Sequence, residues 1–187
     1  MEMTGEQLIP VPQEKVWRGL NDPEMLKACI AGCESIEKVS DNEYRLSLVA
    51  AVGPVKAKFS GKLLLSDLNP PNSYSLSFEG SGGAAGFGKG GAKVGLETEG
   101  SATRLRYTAN ASVGGKLAQV GSRLIDGVAR KMADDFFTRF NATVAPVPAE
   151  TAEAAVAGRG KIPLWAWVAG IVLLVLLALY LGKSAGY

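Results

Sequence analysis

The residue types that usually carry chemistry are sparse in this sequence of 187 residues. Histidine is absent, which removes the commonest general base and the commonest metal ligand. The two cysteines, Cys29 and Cys33, have no second Cys or His pair that would complete a four-ligand zinc site. We therefore expect no catalytic residue and no metal site. We interpret the cysteines as free thiols at a helix end, with a redox pair as the alternative.

A glycine-rich stretch, residues 80–91, contains spacings found in phosphate-binding loops. Gly86, Gly88 and Gly91 match the dinucleotide-binding pattern, and Lys89 stands where a P-loop has its lysine. However, the residue after Lys89 is glycine rather than Ser or Thr, and a strand pattern follows instead of a helix. We therefore exclude nucleotide binding. We predict a mobile connection between strands, either a flap at a cavity mouth or simply a flexible hairpin.

Apolar and polar residues alternate along several stretches, which predicts half-buried strands. The clearest pattern runs from Val55 to Leu65, where lysines and serines face away from the apolar side chains. Gly53 and Pro54 predict the turn before it, and residues 69–72 predict the turn after it. Similar patterns elsewhere predict an antiparallel meander of six or seven strands.

Helical patterns flank these strands at both ends of the domain. Residues 12–20 and 22–28 predict two short helices, with Asp22 as the N-cap of the second. Residues 116 to about 143 predict one long amphipathic helix. A curved antiparallel sheet wrapped around this helix accounts for the order of elements, and such an arrangement leaves a cavity between the two layers. The predicted fold class is α+β.

Six segments resemble the CoxG family of carbon monoxide dehydrogenase subunits, within the START-like, SRPBCC superfamily of helix-grip domains. They cover most of residues 1–143 and are residues 10–17, 20–23, 26–33, 53–57, 115–123 and 129–131. The resemblance implies an apolar ligand pocket. We expect it to be lined by Phe59, Phe78, Phe87, Tyr107, Leu117, Val120, Gly121, Leu124 and Val128. Among these only Tyr107 carries a hydrogen-bond donor on its side chain.

The chain continues beyond the predicted ligand-binding domain, residues 1–145. Residues 146–160 predict a flexible linker, and residues 161–182 predict one transmembrane helix, followed by a short tail, residues 183–187. The twenty residues 162–181 contain no charge and would span roughly 30 Å as a helix. The interfacial anchors would be Trp165, Trp167 and Tyr180. With no signal peptide at the N-terminus, we expect the domain on the cytoplasmic face of the inner membrane.

The resemblance implies an accessory protein that recruits a molybdenum carbon monoxide dehydrogenase, or a related oxidoreductase, to the membrane. An apolar pocket on a tether suits a respiratory quinone, menaquinone or ubiquinone, as a ligand that is not covalently bound, and nothing indicates a nucleic-acid partner. The alternative is a general lipid or hydrophobic-ligand carrier without an oxidoreductase partner. A third hypothesis, an enzyme such as a cyclase of the same fold, is disfavoured by the absence of histidine.

Overall fold

A seven-stranded antiparallel sheet forms the main layer of the domain. The computed structural model describes residues 1–145. The sheet is built from β1 (Glu2–Ile9), β2 (Cys33–Ser40), β3 (Glu43–Val52), β4 (Val55–Asn69), β5 (Ser73–Ser81), β6 (Phe87–Glu99) and β7 (Ala102–Gly114). The helices are α1 (Gln13–Leu20), α2 (Pro23–Cys29), α3 (Lys116–Gln119) and α4 (Ser122–Val144). The strand order is β1-β7-β6-β5-β4-β3-β2, which confirms the predicted antiparallel meander.

Local sequence signals fix the turns and the first two helices. The turn between β3 and β4 consists of Gly53 and Pro54, and Gly53 has a positive φ of 57°, a backbone conformation that glycine adopts without strain. At the start of α2, the Asp22 carboxylate accepts a hydrogen bond of 3.0 Å from the backbone N–H of Glu24. The predicted turns and N-cap are therefore confirmed.

The predicted single helix over residues 116–143 is interrupted. A four-residue helix, α3, ends before Val120, and α4 begins at Ser122. Gly121 between them has a φ of 93°, which lies outside the helical region and separates the two segments. The amphipathic repeat continues across the break, because the spacing of apolar residues in the sequence does not reveal the backbone conformation of a single residue.

The predicted mobile connection over residues 80–91 is wrong for most of its length. Residues 87–91 begin β6 and pair with both β5 and β7. The connection itself is limited to residues 82–86 and contains one 3₁₀ turn, Gly83–Ala85. The glycines here are strand residues that allow close approach: a Cβ on Gly90 would lie 2.7 Å from Cζ of Phe78.

The two ends of the inner sheet face differ in whether a helix packs over them. The closed end is the part that contains Ile9, Tyr44, Leu65, Leu96 and Leu105, all at most 9% exposed. The C-terminal half of α4 covers it, and the buried residues of this helix are Phe137, Phe140 and Val144. The open end contains Phe59, Gly61, Phe78, Gly90 and Ala111, all only half-buried. The hydrophobic core therefore lies at one end of the sheet.

The predicted linker, the membrane helix with Trp165, Trp167 and Tyr180, and the tail lie outside the described residues. Among the helices of residues 1–145, none is long and apolar enough to cross a membrane.

Candidate functional site

A cavity of about 260 Å³ lies between the inner face of the sheet and the helices. The sheet contributes residues of five strands, β3 to β7: Tyr44, Leu63, Leu65, Tyr74, Leu76, Ala92, Val94, Leu105 and Tyr107. The helices α1, α2 and α4 and the residue after α2 contribute Leu20, Leu26, Ile30, Ala133, Phe136 and Phe137. Apart from three tyrosine hydroxyls, every lining side chain is apolar.

The strand register explains why these residues meet. Leu65 pairs with Leu76 across β4 and β5, and Tyr74 pairs with Val94 across β5 and β6. Val94 in turn pairs with Tyr107 on β7. Because side chains alternate between the two faces of a strand, paired positions point to the same face. A continuous apolar surface therefore crosses the sheet under α4.

Aromatic rings form the wall that α4 contributes to the cavity. The ring of Phe137 stacks on that of Tyr107 with centroids 5.6 Å apart, and Phe136 meets Phe137 edge-to-face at 5.2 Å. Phe136 also stacks on the fully buried Phe140 at 5.9 Å. These contacts hold the C-terminal half of α4 against the sheet.

Three phenols are the polar groups of the cavity. The Tyr44 hydroxyl donates a hydrogen bond of 3.0 Å to the backbone oxygen of Asn21. Burial raises the pKa of Tyr74, and Tyr44 close by raises it further. Burial also raises the pKa of Tyr107, with Asp134 acting in the same direction and Arg130 against it. All three phenols therefore stay protonated at neutral pH and act as hydrogen-bond donors.

The lining of the cavity consists of apolar side chains and tyrosines. None of its lining residues changes protonation near pH 7, which general acid–base catalysis requires. Within residues 1–145, no group of three or more His, Cys, Asp or Glu side chains is arranged to hold a metal ion. The site can enclose an apolar body. Tyr44 already donates to the backbone oxygen of Asn21, and the Tyr107 hydroxyl lies against Gly5 of β1, which leaves Tyr74 as the lining tyrosine whose hydroxyl has no partner among residues 1–145.

Both cysteines are free thiols. Cys29 ends α2 and is fully buried, and Cys33 begins β2 rather than lying at a helix end. Burial raises the pKa of both thiols, which lowers their reactivity as nucleophiles.

Of the nine residues that the sequence assigned to the cavity, Tyr107 lines it and the other eight lie outside its lining. Phe59 on β4 and Phe78 on β5 share its sheet face but lie at the open end. Phe78 pairs with the lining residue Leu63 and therefore borders the cavity directly. The alternation along the strands identified the correct face, but it did not identify which end of that face is covered.

Phe87 lies on the opposite face of the sheet. It is the first residue of β6, in step with Lys89 and Lys93, and its side chain is 49% exposed. The assignment of Phe87 to the cavity is therefore wrong. Residues 80–91 were predicted to be a loop, and the alternation of side chains between the two faces of a strand does not hold in a loop.

The five predicted lining residues before and along α4 also lie outside the cavity lining. Leu117 is buried in α3, and Leu124 is 42% exposed in the first turn of α4. Val120 and Gly121 form the break between the helices, and Val128 is half-buried. The repeat correctly marks the apolar side of the helix, but the cavity lies one to two turns further along, at Ala133 and Phe136.

Sequence reasoning missed the contribution of the first two helices to the cavity. Leu20, Leu26 and Ile30 lie in or beside helices of eight and seven residues, which are too short for a clear periodic signal. Tyr44, Leu65, Tyr74 and Leu76 were recognisable as inward-facing strand residues.

The comparisons with known proteins agree with this geometry. A family model that describes the CoxG subunit of carbon monoxide dehydrogenase matches residues 5–145. The chain belongs to the CoxG family. No curated protein matches it. CoxG proteins are accessory subunits, and the fold here is the START-like helix grip of that family.

Solved structures show the same fold. A conserved protein from Geobacillus kaustophilus is 34% identical, with a TM-score of 0.73, and the match covers 78% of this chain and 95% of that one. A protein from Thermus thermophilus is 22% identical, with a TM-score of 0.59 and coverage of 77% and 97%. The Zhui aromatase/cyclase from a Streptomyces species is 10% identical, with a TM-score of 0.58 and coverage of 77% and 93%.

Proposed function

We propose that this CoxG protein carries a respiratory quinone, menaquinone or ubiquinone, between the inner membrane and a molybdenum carbon monoxide dehydrogenase or a related oxidoreductase. It does no chemistry of its own. The observation that supports this most is the cavity under α4, which is apolar apart from three protonated phenols. Such a lining favours transfer of an apolar body out of lipid and provides no acid–base catalyst.

The size of the cavity suits the ring of a quinone rather than its whole isoprenoid chain. Its volume of about 260 Å³ is just below the range of about 300–1,000 Å³ that holds typical small molecules. The open end offers a path for the chain. Phe78 and Gly90 continue the inner face directly from Leu63, and both are only half-buried.

The membrane tether in this proposal is the apolar segment 162–181, with Trp165, Trp167 and Tyr180 at the two interfaces. Because quinones are nearly insoluble in water, a carrier must remain close to the bilayer. The partner follows from the family, whose name refers to carbon monoxide dehydrogenase. Recruitment of that enzyme would place an electron donor beside a quinone already removed from lipid.

The test is extraction of quinone from liposomes by the full-length protein, with the bound lipid identified by mass spectrometry. Ala133→Phe places a ring into the cavity from α4, whereas Ala142→Phe makes the same change at an exposed position of the same helix. We expect the first variant to lose quinone extraction and the second to retain it.

Two outcomes contradict the proposal. Equal extraction by the two variants would place the ligand elsewhere. If acyl lipids co-purify with the protein and quinone does not, the general lipid carrier is the correct alternative.

A further inference from the structure

The three phenols of the cavity differ in how their hydrogen-bonding capacity is used. Tyr44 donates to the backbone oxygen of Asn21 at 3.0 Å. Tyr107 is half-buried, with the charged side chains of Arg130 and Asp134 close enough to affect its pKa. Tyr74 is only 7% exposed, yet its hydroxyl makes no hydrogen bond to any of residues 1–145.

The Tyr74 residue is buried, but its hydroxyl oxygen is not among the fully enclosed unpaired side-chain atoms of residues 1–145, which are Ser47 Oγ, Asp126 Oδ1 and Asn141 Oδ1. The oxygen therefore reaches open space beside a lining that is otherwise apolar, and a tyrosine hydroxyl in such a place usually has a hydrogen-bond partner. The side chain is also held in place: its ring meets that of Trp17 edge-to-face, with centroids 5.5 Å apart and planes at 85°. The ring of Tyr74 is therefore held in place in the wall of the cavity.

Tyr74 lies at the inner end of the cavity. Tyr74 and its partner Val94 on β6 are buried, whereas Leu63, which lines the cavity and pairs with Phe78 of the open end, is partly exposed. A ligand that enters past Leu63 presents its leading end to Tyr74.

We propose that Tyr74 donates a hydrogen bond to an acceptor oxygen at the leading end of the ligand. This inference rests on the proposed function of the cavity and adds the chemical class and the orientation. The ligand carries a ring carbonyl or a similar oxygen, and this end enters first while the chain trails toward the open end. A fatty acyl chain that enters methyl end first has no acceptor to offer and leaves the donor unpaired.

The test compares two probes with the same ring system, 2-methyl-1,4-naphthoquinone and 2-methylnaphthalene, which differ in the two carbonyl oxygens. Their binding to the full-length protein is measured by equilibrium dialysis for the wild type, Tyr74→Phe and Tyr107→Phe. Tyr74→Phe keeps the ring and removes only the hydroxyl. We expect it to weaken binding of the quinone about five- to tenfold, the effect of one net hydrogen bond, and not to weaken binding of the hydrocarbon.

The outcomes separate this inference from the proposed function. If the wild type binds neither probe, the cavity is not a site for such ligands and both proposals fail. If both probes bind and Tyr74→Phe leaves their affinity ratio unchanged, the inference is overturned while the carrier function stands. A loss of quinone preference confined to Tyr107→Phe would place the acceptor at the outer end and would also overturn it.

Discussion

The two ends of the inner sheet face have a similar alternation of apolar and polar residues but differ in how deeply their apolar side chains are buried. At the closed end, Leu65, Leu96 and Leu105 are buried by helices and seal one side of a cavity. At the open end, Phe59 and Phe78 alternate with polar residues in the same way, yet they remain half-buried. The difference lies in the cover, because α4 has its buried residues only from Phe137 onward. Alternation therefore determines the face of a side chain, and helix placement determines its burial.

Residue size differs between the ends as well. The inner face of the open end is interrupted by glycines and alanines, including Gly61, Gly90 and Ala111, while large side chains fill the closed end. Small residues lower the apolar area that a covering helix could bury. Under the proposed function, this loosely packed surface is available to contact the chain of the ligand.

The largest difference is expected when one phenylalanine is removed from each end. Phe140→Ala deletes a fully buried ring on α4 and should cost about 3–5 kcal/mol of unfolding free energy. Phe78→Ala removes a half-buried ring and should cost less than half of that. Urea unfolding of both full-length variants, followed by circular dichroism, measures the two costs. Equal losses would mean that the open end is packed as tightly as the closed end.

A smaller effect is expected from two glycines of the same strand. A Cβ on Gly90 would clash with the backbone oxygen of Asn110 and would meet Phe78 at 2.7 Å, whereas a Cβ on Gly95 would meet nothing within 4 Å. We expect Gly90→Ala to destabilise by about 1–3 kcal/mol, as overpacking does. Gly95→Ala should be neutral or slightly stabilising, because it restricts the unfolded chain.

Thermal unfolding of the two variants tests this pair. A neutral Gly90→Ala would show that the strands at the open end separate easily, and it would weaken the view that glycine is needed there for close approach.

Much of this architecture follows from the sequence alone. The alternation from Val55 to Leu65, the turn at Gly53 and the N-cap at Asp22 were each predicted and are confirmed. These features depend on residues within a few positions of one another. The inward orientation of Tyr74 and Leu76 was predictable for the same reason.

The cavity was less predictable because it depends on contacts between distant segments. Tyr107 was identified, but Leu20 and Leu26 come from short helices whose packing position no local pattern reports. The break at Gly121 depends on one backbone torsion. Phe87 was assigned to the cavity because the glycine-rich sequence around it was interpreted as a loop, although it begins β6. The alternation with Lys89 places Phe87 on the outer face of the sheet.

The smallest expected effect concerns the outer face behind the closed end, where a network of charges joins β1, β6 and β7. Glu6 binds both Arg104 and Arg106, and Arg104 also binds Glu99 at 2.6 Å. A hydrogen bond from Arg106 lowers the pKa of Glu6, and one from Arg104 lowers the pKa of Glu99. Because the pKa values are lowered in the folded state, this stabilisation is present above the ordinary glutamate pKa and is lost as pH falls through the folded value.

Arg104→Met should therefore lower the urea midpoint at neutral pH, and this effect should shrink as the pH falls through the lowered pKa values of Glu6 and Glu99. Lys93→Met is the control, since it removes one positive charge from the same face and Lys93 forms no ion pair within residues 1–145. The effect should be modest because exposed ion pairs contribute little. If Arg104→Met and Lys93→Met respond alike to pH, the network does not reinforce the closed end. The difference between the ends would then rest on the apolar cover of α4 alone.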